Sequence, residues 1–169
     1  MALTTNADSF KPSEMTRATT IELHTGPALD PLAWLAATST DDEAWYWEVP
    51  NDDTSWVGLG TAAVVNVEGA GRFADAATAA ARLLDGIKLD APLGAPAIRI
   101  AAGFAFDHHL HKTPTPWSAF GTGRLVLPAV QITRHAGRTW VTRVEDEDRP
   151  TPLFNIPNPS TTETAEPSD

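Results

Sequence analysis

From Ile98 to Asp107 the chain alternates with a period of two. Ile98, Ile100, Ala102, Phe104 and Phe106 fall on one side, and Arg99, Ala101, Gly103, Ala105 and Asp107 on the other. That is the pattern of a strand with one apolar face and one face of mainly small residues. Gly103, opposite the bulky face, leaves room for another backbone or a large side chain to come close. A polar loop with two prolines follows, then Trp117 and Phe120, and a second strand opens at Arg124-Leu-Val-Leu-Pro. A chain with this stretch at its centre is organised around a sheet.

The flanking segments extend that sheet. Thr16 to Thr25 alternates weakly around Ile21 and Leu23 and reads as a first strand. Asp30-Pro31 supplies a helix N-cap with proline at the first helical position, ahead of Leu32, Leu35 and Ala36. Ala44 to Val49 is an aromatic strand, Pro50 to Asp53 a turn, and Ser55 to Val67 the returning strand, with Gly58 and Gly60 marking a bulge or a close approach. Phe73, Ala76, Ala77, Ala80, Leu83, Leu84 and Ile87 follow helical spacing, and Gly86 suits a C-terminal cap. Arg124 to His135 and Thr139 to Val144 read as two strands joined by a tight Ala136-Gly137 turn. Pro128 implies an edge position, a bulge or a break in the first of them. The expected class is α+β: a largely antiparallel sheet with a long amphipathic helix packed on one face.

Three regions follow from composition. Residues 1–15 are polar and read as a flexible N-terminus, and residues 16–144 as the folded α+β region. Residues 145–169 hold seven acids, one arginine and five prolines and read as a disordered tail. A formal charge of −10 disfavours binding to nucleic-acid phosphates or to an anionic membrane surface. The absence of cysteine excludes disulfides, cysteine-ligated clusters and thiolate zinc sites. With no signal peptide and no window as long as a membrane span, a cytoplasmic protein is expected.

Few constellations suggest chemistry. Asp107, His108, His109 and His111 could ligate a metal if the loop is extended, since His109 and His111 would then point the same way. The competing reading is a solvated loop. Trp45, Trp47, Trp56, Phe104, Phe106, Trp117 and Phe120 could line a ligand pocket, but aromatics on alternating strands more commonly pack a core. Gly58-Leu59-Gly60 and Gly69-Ala70-Gly71 lack the register and the lysine of phosphate loops, and the second reads as the entry turn of the helix. Asp41, Asp42, Glu43, Asp52 and Asp53 sit in turns, where carboxylates are solubilising. Ser9, Ser13, Ser39, Ser55 and Ser118 have no nucleophile-elbow context. The residues alone show no catalytic, cofactor-binding or metal site.

Several short motifs occur in order: W-Y-W-E-V-P at 45–50, W-V-G-L-G at 56–60 and G-R-F-A-D-A at 71–76. G-F-A-F-D at 103–107, W-x-x-F at 117–120 and R-L-V-L-P at 124–128 follow. Together they resemble the N-terminal part of isochorismate synthases, members of the chorismate-utilising enzymes. The early L-L-E-S motif of anthranilate synthases is absent. The resemblance implies the N-terminal region of that fold and the Mg²⁺-dependent isomerisation of chorismate to isochorismate in the complete enzyme. Menaquinone, siderophore or salicylate synthesis would draw on the product. It also implies a lysine base in a K-V-V-L-[AS]-R-like segment, a glutamate acid and glutamates that hold Mg²⁺.

None of those segments occurs in residues 1–169, and Lys11, Lys88 and Lys112 lie in other contexts, so no catalytic residue carries over. The expectation is an N-terminal fragment or subunit, from a truncated or split gene. It would be inactive alone, bind no Mg²⁺ by itself and be partnered by a C-terminal catalytic half. The alternative is a non-catalytic binding domain that keeps the fold. A small metalloenzyme built on His108, His109 and His111 is a third reading.

Overall fold

The computed structural model describes residues 16–23, 31–37, 43–107 and 121–145. In chain order these form strand β1 (Thr16–Leu23), helix α1 (Pro31–Ala37), β2 (Ala44–Val49), a 3₁₀ turn (Pro50–Asp52), β3 (Thr54–Leu59) and β4 (Ala63–Asn66). Helix α2 (Arg72–Asp85), β5 (Ile87–Asp90), β6 (Ala101–Phe104), β7 (Gly123–Leu127), β8 (Val130–His135) and β9 (Arg138–Glu145) follow. One sheet has the order β2-β3-β8-β9-β1-β5 and the other the order β4-β7-β6.

The expected α+β class is overturned. The described residues are predominantly β, in two sheets, and their two helices are short, so no long amphipathic helix covers a sheet face. The apolar spacing that ran through Ile87 is cut at Gly86, whose N–H caps the helix on the Arg82 carbonyl. Ile87 instead opens β5, opposite Thr16 in a parallel pair, which also makes the larger sheet mixed. Three of the seven stripe residues are alanines, which cover little area. Helix α2 buries only Arg72, Ala76 and Leu83, while Phe73 and Leu84 stay 56% and 38% exposed.

Two segments that read as single strands are each divided between the sheets. Ser55 to Val67 becomes β3 and β4, and Arg124 to His135 becomes β7 and β8. Both bends fall at one corner, where strands switch sheets. Gly60 turns the first segment with φ +61°, and Pro128 lies at the break in the second. The bends are tied together: Ala62 N–H donates to Leu127 O at 2.8 Å and Ala129 N–H to Gly60 O at 3.4 Å. Gly58 is required here, because a Cβ at that position would sit 2.5 Å from Cγ of Pro128.

The alternating strand is also shorter than its pattern. Only Ala101–Phe104 pairs, with β7, while Ile98 and Ile100 pack as partly buried side chains in the core. The reason lies in Gln131, which is 2% exposed. Its Oε1 accepts from Arg99 N–H at 2.9 Å and from Trp56 Nε1 at 3.2 Å, and its Nε2 donates to Arg99 O at 3.0 Å. The primary amide thus takes the place of a neighbouring peptide group, and the backbone at Arg99 docks onto a sheet face instead of joining a ladder.

The core lies on both faces of the larger sheet. On one, Val57, Leu59, Val130, Ile132 and Val141 gather under Trp34 of α1. On the other, Ala18 and Val144 meet Ala63 and Leu127 of the smaller sheet and Leu83 of α2. Two tight turns match their sequence signatures. Ala136 and Gly137 have φ +50° and +73° between β8 and β9, and Asp53 has φ +45° after the 3₁₀ turn between β2 and β3. Among the described residues no helix is long and apolar enough to cross a membrane.

Two stability measurements test this account. Gly58→Ala should destabilise the chain by about 1–3 kcal/mol through overpacking against Pro128, read as a lower urea midpoint. Gln131→Leu leaves the Arg99 peptide groups and the Trp56 indole unpaired, and should cost roughly 2–5 kcal/mol in the same titration. A change below about 0.5 kcal/mol for Gln131→Leu would mean that water or relaxation satisfies those groups.

Candidate functional site

A polar recess of about 260 Å³ opens between α1, the β2–β3 turn and β8. Leu32 and Pro50 supply apolar wall, and Tyr46, Glu48, Asp53, Ser55 and Arg134 supply polar groups. Register places these side chains. Ser55 and Arg134 are cross-strand partners on β3 and β8, and Glu48 pairs with Ser55 from β2, so all three share one sheet face. The left-handed Asp53 then turns its carboxylate back toward β8.

Within the recess the charges are largely matched. Arg134 pairs with Asp53 Oδ1 at 3.1 Å, and Asp53 Oδ2 accepts from Gly137 N–H at 3.0 Å. The Tyr46 hydroxyl donates to Glu48 at 2.9 Å. Beside it, Thr54 Oγ1 donates to the Asp52 carbonyl at 3.1 Å and lies 2.8 Å from His135 Nδ1. With that single hydroxyl proton committed to Asp52, Thr54 Oγ1 is left to accept from His135 Nδ1. Among the described residues no side-chain hydrogen bond joins Ser55 to a base, and Glu48 and Asp53 hold partners of their own. The polar groups of the recess are engaged with one another rather than arranged as a nucleophile and its base.

Two further polar assemblies are structural. Glu43 accepts from Arg124 at 3.0 Å and from Thr61 at 2.9 Å through the same oxygen, while its carbonyl accepts from Gly60 N–H. Arg72 is 6% exposed and donates to the carbonyls of Gly69, Ala105 and Phe106, with its guanidinium 4.4 Å from the Phe73 ring centroid. It fastens the start of α2 to the end of β6.

The residues singled out in the sequence disperse. His108, His109 and His111 lie outside the described residues, as do Asp41, Asp42, Trp117 and Phe120, and Asp107 is exposed. Among the described residues no three His, Cys, Asp or Glu side chains converge on a point that could hold a metal. The aromatic set divides: Trp56 is 5% exposed and in the core, whereas Trp47 is 66% exposed and Phe106 fully so. Gly58 and Gly60 serve the corner between sheets and Gly69 the entry to α2, with φ +76°.

Glu43, expected to be a solvated turn acid, is instead an ion-pair partner. Sequence reasoning missed Gln131, Arg72 and the Arg134–Asp53 pair. The available signal for Gln131 was a polar residue between Val130 and Ile132 in an otherwise apolar run.

A family profile described as chorismate binding enzyme matches residues 6–151. No curated protein and no solved structure matches the chain.

Two measurements follow from this geometry. The Arg134–Asp53 pair is half open to solvent, so a double-mutant cycle with Arg134→Ala and Asp53→Asn should return a coupling below about 1 kcal/mol, weaker still in high salt. Arg72→Met should lower stability by roughly 2–4 kcal/mol, because three carbonyls lose a charged donor. Faster amide exchange at Ala105 and Phe106 would accompany that loss.

Proposed function

The chain belongs to the chorismate binding enzyme family, and from that membership we propose that it is the N-terminal portion of an isochorismate synthase-type enzyme. The observation that carries this reading is the ordered run of motifs from Trp45 to Pro128 within the matched residues. In this reading the chain supplies scaffold. The lysine base, the glutamate acid and the Mg²⁺-holding glutamates come from a C-terminal catalytic half, and chorismate is isomerised in the cytoplasm only by the assembled pair.

The described carboxylates do not fit a Mg²⁺ site of this chain's own, since Glu43, Glu48 and Asp53 each have a separate partner and do not converge. No catalytic step is therefore assigned to them. Glu43 ties β7 to the segment before β2, Asp53 joins the β2–β3 turn to β8 and to the β8–β9 turn, and Glu48 accepts from Tyr46 on its own strand.

A second reading, a binding domain without chemistry, is favoured by the core. Val57, Val126, Val130 and Ile132 are completely buried within the described residues alone.

Co-expression separates the two. The chain by itself, given chorismate and Mg²⁺, should form no isochorismate by chromatography. Together with a chain carrying the lysine and glutamate segments it should form product. A stable chain that never complements such a partner, yet binds chorismate in a calorimeter, would favour the second reading.

A further inference from the structure

We draw no further inference here: the strongest candidate, the exposed rings of Phe73 and Phe106 beside Phe104 at the end of β6, is an unpartnered apolar face, and nothing in the structure shows what covers it.

Discussion

The close approach of Gly58 to Pro128 is the constraint on which both sheets depend. Two extended segments run antiparallel, and each crosses between the two sheets at the same place. A side chain at Gly58 would push them apart, and with them the hydrogen bonds that join Ala62 to Leu127 and Ala129 to Gly60. Ala129 also accepts from Val144 N–H at 2.8 Å, so β9 is fixed by the same corner. The core between the sheets, with Ala18, Ala63, Leu127 and Val144, lies on the inside of this bend. One tight steric contact therefore bears on the angle at which the apolar surface between the sheets is buried.

Much of the strand content was legible because period-two alternation is local and strong. The β2–β3 and β8–β9 hairpins were marked by turn residues whose backbone preferences are equally local. The division of two long strands was less legible. Gly60 and Pro128 signal a break, but only their mutual contact shows that both breaks form one corner. The helix was overestimated because the apolar period carries on past Gly86 to Ile87, whereas the pairing of Ile87 with Thr16 depends on residues far away in sequence. The docking of Arg99 onto Gln131 was illegible for the same reason, since nothing near Arg99 announces a side-chain partner 32 residues on.

The candidate site shows the opposite balance. Motifs that carried the family resemblance are fold-forming where they can be followed. Arg72 clamps α2, Arg124 bridges to Glu43, and Pro128 meets Gly58. The recess beside Arg134 takes Tyr46, Glu48, Val49 and Pro50 from the W-Y-W-E-V-P motif, but its other lining residues belong to no motif. Its lining comes from a helix, a turn and three strands, and each residue type is ordinary in its own segment.

Strand β1 lies between β9 and β5, so its two neighbours come from distant parts of the chain. The Thr20 and Thr142 hydroxyls that bond at 2.8 Å are 122 residues apart. On a ribosome moving at about 5–20 residues per second, β1 emerges roughly 6–24 s before that partner exists. Through that interval its alternating face, with Ala18 at the centre of the finished core, has no antiparallel neighbour. Among the described strands the last made completes the placement of the first, which gives the nascent chain a period of exposure that the folded sheet does not show.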